Sequence, residues 1–155
     1  MDFENLASVV DFAIEKEKEA AAFYEETSES EMMAGKRQML QEFAAEERKH
    51  QKMLENYRDT GIAENLDGYK FKWIADIKRS DYVAPIDYRP GMAYNELLML
   101  AMKREEASLK LYNALLAKTD DDGARKLFKM LCQEEAKHKL ALETMYDDYM
   151  AQMGD

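Results

Sequence analysis

The chain holds only two histidines, and each stands three residues after a glutamate: Glu47-Arg48-Lys49-His50 and Glu135-Ala136-Lys137-His138. On a helix that spacing is close to one turn, so carboxylate and imidazole project from the same face and can ligate one metal ion. The two units lie 88 residues apart, and the same offset maps Glu17 onto Glu105, Tyr24 onto Tyr112, Gly35 onto Gly123 and Leu54 onto Leu142. Overlaid without a gap, residues 13–57 and 101–145 agree at 11 of 45 positions. The pattern is that of a duplicated helical hairpin whose copies both keep metal-ligand residue types.

Four stretches with helical apolar spacing must position these residues. The first runs over about 4–29 with Val10, Ala13, Ile14, Ala20, Ala21 and Tyr24 on one face. The second covers about 32–59 with Met39, Leu40, Phe43, Ala44, Leu54 and Tyr57. The third follows Pro90-Gly91 and reaches Lys118, with Leu97, Leu98, Ala101, Met102, Leu109 and Tyr112. The fourth follows Asp120-Asp121-Asp122, whose charges suit a helix N-terminus, and carries Leu127, Phe128, Leu131, Cys132, Leu142 and Met145.

Turns near residues 30 and 120 give antiparallel hairpins over 4–59 and 91–152. Between them, residues 61–90 contain both prolines and no helical period. A helix of about 27 residues is roughly 40 Å long, a distance that 30 residues can travel. The expected fold is therefore all-α: a single domain over 1–155, a ferritin-like four-helix bundle of two hairpins with one long crossover. Trp73, Tyr82 and Tyr88 of the crossover are expected to pack on the bundle, and Cys132 and the 12 methionines to serve as core.

Glu47 and His50 fall inside the apolar stripe of the second helix, and Glu135 and His138 inside that of the fourth. Glu17 interrupts the first stripe between Ile14 and Ala21, and Glu105 the third between Met102 and Leu109. All four glutamates lie about 15 residues from their turn, so they meet at one height. Glu46, Glu134, Lys49, Lys137 and Glu106 fall off the stripes and are expected to be solvated. With 19 glutamates in 155 residues, chance alone puts glutamate before both histidines in roughly 1–2% of cases, and the shared face and level make coincidence rarer still.

Four carboxylates buried without partners would each cost several kcal/mol or be forced to take up protons. A purely structural polar network is the bland alternative. Two divalent cations remove the difficulty, because their charge balances the four carboxylates while two neutral imidazoles complete the ligation. Oxygen and nitrogen donors without thiolate suit iron or manganese, alone or as a mixed pair; zinc could occupy the same set, but a redox-inert ion makes less use of a symmetric pair with open positions.

Composition narrows the function classes. The net charge of −10 disfavours nucleic acid and anionic membrane as partners. No apolar run approaches a membrane span, and Met1-Asp2-Phe3-Glu4-Asn5 does not read as a secretory signal, so a cytoplasmic protein is expected. One cysteine, Cys132, cannot form an internal disulfide or a four-cysteine iron site.

Glu17-Lys18-Glu19-Ala20-Ala21-Ala22-Phe23-Tyr24 and Glu46-Glu47-Arg48-Lys49-His50, with Glu105, Tyr112 and Glu135-Ala136-Lys137-His138, resemble the rubrerythrin branch of the ferritin-like superfamily. The resemblance spans both hairpins and leaves residues 61–90 unplaced. It implies two iron ions held by Glu17, Glu47, His50, Glu105, Glu135 and His138, with Glu47 and Glu135 bridging. Tyr24 and Tyr112 would stand beside the ligands, or equally be aromatic core filler. It further implies reduction of hydrogen peroxide, and a homodimer. Electrons would come from an external rubredoxin-like donor, since this chain lacks the cysteines for its own. Ser108 stands where the family usually has a second glutamate on the third helix, which leaves a more symmetric site. Ferroxidase or iron-handling activity is the alternative, and a non-catalytic partner-binding bundle the third reading.

Overall fold

Helices form where the apolar period runs: α1 over Leu6–Ser30, α2 over Ala34–Thr60, α3 over Tyr94–Lys118 and α4 over Asp122–Met153. The computed structural model describes residues 6–30, 34–62, 69, 71, 74, 89 and 92–153, and none of these is in a strand. Trp73, Tyr82 and Tyr88 lie outside the described residues. No helix among them is long and apolar enough to cross a membrane.

Local chemistry ends the helices where the turns need them. Asp121 Oδ2 accepts the Ala124 N–H at 2.9 Å, capping α4. Arg125 Nη1 donates to the carbonyls of Leu116 and Thr119 at the end of α3. After α2 the chain turns at Gly61, whose φ of 71° a side chain would disfavour.

Packing is tightest within each hairpin, and across the hairpins α1 meets α3 and α2 meets α4. The core divides into two apolar layers. One gathers Val10, Ile14, Leu54, Leu115, Leu127, Phe128 and Leu131. The other gathers Phe23, Leu40, Phe43, Leu98, Met102 and Leu142. Tyr112 belongs to the first and Tyr24 to the second.

The stripes are narrower than their sequence suggests. Ala20, Met39, Tyr57, Leu109 and Cys132 are half-buried because they sit on the flanks of the buried faces. Leu109 and Cys132 line a cavity of about 500 Å³ with Phe71, Ile74, Lys129, Gln133 and Ala136. Burial pushes the Cys132 thiol up to about 11, so it stays protonated at neutral pH. The crossover touches α4 where Gln133 Nε2 donates to the Tyr69 hydroxyl at 2.9 Å.

Candidate metal centre

The two apolar layers are separated by one charged layer. Each of its residues takes the place that an apolar side chain would otherwise hold on its helix. Glu17, Glu47, His50, Glu105, Glu135 and His138 are all no more than 2% exposed. Ligand atoms of Glu17, Glu47, His50 and Glu135 all lie within 4.8 Å of one another, and so do those of Glu47, Glu105, Glu135 and His138. Glu47 and Glu135 belong to both groups, as carboxylates shared between two ions must.

Both imidazoles aim Nδ1 inward. His50 Nδ1 lies 3.1 Å from Glu135, 3.7 Å from Glu17 and 3.9 Å from Glu47. His138 Nδ1 lies 2.8 Å from Glu47 and 3.5 Å from Glu105. The rings are nearly parallel, with centroids 6.3 Å apart.

The tyrosines cross the hairpins in a symmetric exchange. Tyr24 on α1 donates to Glu105 on α3, and Tyr112 on α3 donates to Glu17 on α1. Burial, then the charge of the facing glutamate, pushes both hydroxyls well above the usual tyrosine range, so both stay protonated donors. Of the two sequence readings, filler and partner of the site, the hydrogen bonds favour the partner.

Glu46 departs from expectation. Its place off the apolar stripe predicts a solvated surface acid, but its Oε2 lies 2.5 Å from His138 Nε2 while about half of the side chain stays exposed. A half-exposed glutamate beside the stripe is long enough to reach over the flank of α4, which the periodicity of apolar residues does not register. The sequence signal was its repetition as Glu134. Glu106 and Glu134 are also only about one-fifth exposed and pair with Lys103 and Lys137. Lys139 and the fully buried Glu143, 3.9 Å apart on α4, were not singled out by the sequence either.

The charged layer suits cations. Glu17 Oε2 and Glu105 Oε2 are buried atoms without a hydrogen-bond partner, and Glu47 Oε1 and His138 Nδ1 lie 2.8 Å apart without the alignment of a hydrogen bond; each is costly to leave so in an apolar bundle. Burial, then the charges of Glu17 and Glu105, holds Glu47 well above the usual carboxylate range. Burial and the charges of Glu105, Glu47 and Glu17 do the same to Glu135. Burial opposes charging of His138, but the adjacent Glu105 carboxylate and the bond to Glu46 raise it well above 6.5. For Glu17 burial acts upward, yet the nearby Glu47 and His50 side chains and the Tyr112 hydroxyl bring it below its ordinary value. The bond from His138 likewise lowers Glu46.

These directions give a pH prediction for the metal-free protein. A group raised in the fold stabilises fully below its unfolded pKa, and that contribution is lost as pH rises through the folded value. Glu47, Glu135 and His138 have this sign, with unfolded values near 4.5 and 6.5. Glu17 and Glu46 have the opposite sign and smaller shifts, and their contribution is already complete above about pH 5. Melting in chelator is therefore expected to occur at lower temperature at about pH 8 than at about pH 5.5. A higher melting temperature at the alkaline end would contradict it.

Comparison with known proteins agrees with the architecture. The family model described as Rubrerythrin matches residues 64–146, more than half of the chain. That span takes in most of the crossover that sequence resemblance left unplaced, along with Glu105, Glu135 and His138, but does not reach Glu17, Glu47 or His50. Among solved structures, a Thermotoga maritima protein described provisionally as a ferritin-like diiron-carboxylate protein superposes with a TM-score of 0.73. Identity to it is 24%, over 96% of this chain and 99% of that one, a likeness of fold. No curated protein matches the sequence.

Proposed function

Because the chain belongs to the rubrerythrin family, we propose that it is a non-haem di-iron oxidoreductase reducing hydrogen peroxide with electrons from a separate donor protein. The observation that carries this reading is the pair of overlapping buried groups, Glu17/Glu47/His50/Glu135 and Glu47/Glu105/Glu135/His138. Two ferrous ions bound there would supply two electrons which, with two protons, turn one peroxide into two waters.

The chain's own residues do the rest. Glu17 and His50 would hold one ion, Glu105 and His138 the other, with Glu47 and Glu135 between them. Tyr112 and Tyr24 each donate to one terminal carboxylate, leaving its other oxygen, Glu17 Oε2 or Glu105 Oε2, for a metal. The apolar layers on both sides keep bulk water from the centre. A rubredoxin-like carrier is the proposed donor, a homodimer the proposed assembly and the cytoplasm the proposed location. Manganese or a mixed pair would occupy the same donors.

The test is anaerobic loading with Fe(II), then rapid mixing with peroxide or with O₂. Oxidation by peroxide is expected to be the faster, and equal or slower oxidation than by O₂ would end the peroxidase reading. The symmetric Tyr–Glu exchange, with Ser108 where a further acid would break the symmetry, favours iron handling as the second reading. A cage-sized particle on a sizing column would support mineral storage, and a dimer or tetramer would rule it out.

A further inference from the structure

The two halves of the centre match in their acids and differ in what holds their imidazoles. His138 faces Glu47 and Glu105 through Nδ1, while its Nε2 meets Glu46 of the other hairpin at 2.5 Å. Under the repeat Glu46 maps onto Glu134, which would be expected to reach toward His50 in the same way. Instead Glu134 is held by Lys137 of its own helix at 3.0 Å. Beside it, Tyr69 of the crossover docks on Gln133 at 2.9 Å. The crossover joins the hairpins only once, and its Tyr69 also lies against Glu134 itself. It thereby breaks the two-fold relation of the halves at this pair of acids.

We infer that Glu46 is a positioning residue for one metal position and makes that position the tighter of the two. Its carboxylate accepts the Nε2–H of His138 and so would, with a metal bound, hold the tautomer that leaves the Nδ1 lone pair on the side of Glu47 and Glu105. A carboxylate behind a ligating imidazole also raises the basicity of the metal-facing nitrogen. At the His50 position the corresponding acid is turned to Lys137. The inference rests on the two-metal reading above and adds an order of occupancy to it.

Anaerobic titration of the metal-free full chain with Co(II), followed by calorimetry against a competing chelator, tests it. Two equivalents are expected to bind in two steps about tenfold or more apart. Glu46→Gln keeps an acceptor oxygen but removes its charge, and is expected to weaken the tighter step alone, by roughly 10- to 100-fold. Glu46→Ala removes the bond as well and should weaken that step further, whereas Glu134→Gln leaves both steps in place. Proton NMR of the Co(II) form gives a readout that mere destabilisation would not move. The exchangeable ring N–H signal of His138 should shift in Glu46→Gln while that of His50 stays. Two equal steps in the unaltered protein, or equal weakening of both steps by Glu46→Gln, overturns the inference and leaves the two-metal reading standing. Absence of stoichiometric Co(II) binding overturns both.

Discussion

Replacing Glu135 by glutamine is expected to abolish binding of the second metal ion and, at the same time, to stabilise the metal-free fold. Both effects come from one property: Glu135 is buried in the middle of the charged layer and belongs to both ligand groups. Glutamine has nearly the same shape, so no cavity opens, but it removes a charge that burial and three neighbouring glutamates disfavour. Its amide can also donate to the acids around it. Relieving a poorly compensated buried charge is worth about 1–3 kcal/mol, or roughly 2–12 °C of melting temperature for a chain of this size. Metal analysis should find at most one ion per chain in the variant. If the variant instead still binds two ions, Glu135 is no shared ligand. Were it less stable than the unaltered protein in chelator, the layer would be a self-sufficient polar network and not a site awaiting cations.

The second large effect is on the unaltered protein. Loading the metal-free chain anaerobically with two equivalents of Fe(II) or Mn(II) is expected to raise its melting temperature by about 10–20 °C, reversibly with chelator. An ion at about 100 times its dissociation constant adds about 2.7 kcal/mol per site, and each kcal/mol moves the midpoint by about 2–4 °C. Three bonds that join the hairpins at this level, Tyr24 to Glu105, Tyr112 to Glu17 and His50 to Glu135, end on three of the four carboxylates of the ligand groups. Cations there tie α1 and α2 to α3 and α4, which is why binding and folding should be coupled. The pH dependence should also reverse. Ligand carboxylates must be ionised and imidazoles neutral, so the loaded protein gains stability as pH rises over the range in which the metal-free protein loses it. An unchanged midpoint after loading would be decisive against the metal centre.

Much of this was legible in the sequence because a helix leaves a period in it. Residues three or four apart share a face, so Glu47 with His50 and Glu135 with His138 could be placed in apolar stripes before any contact was known. Distance from a turn sets axial height at about 1.5 Å per residue, and that placed Glu17 and Glu105 at the same level. The repeat at 88 residues supplied an independent second copy of each. Contacts between elements leave no such period. Leu109 and Cys132 look like core by spacing but line an open groove at the edge of their helices, Cys132 packing on the core from its flank. Lys139 and Glu143 look like surface charges but are buried on α4.

By itself, then, the sequence determined the helices, their pairing into hairpins and the six residues that converge, since period and duplication are one-dimensional. Only the tertiary structure decided that the tyrosines cross between hairpins, that Glu47 and Glu135 fall in both ligand groups, and that Glu46 reaches His138. It also decided that Glu134, beside the Tyr69 contact, does not make the equivalent bond. Those outcomes depend on how far flexible side chains extend across an interface between helices, and on a crossover that breaks the symmetry of the repeat. The two Glu-x-x-His units are equivalent as sequence and unequal in the folded protein.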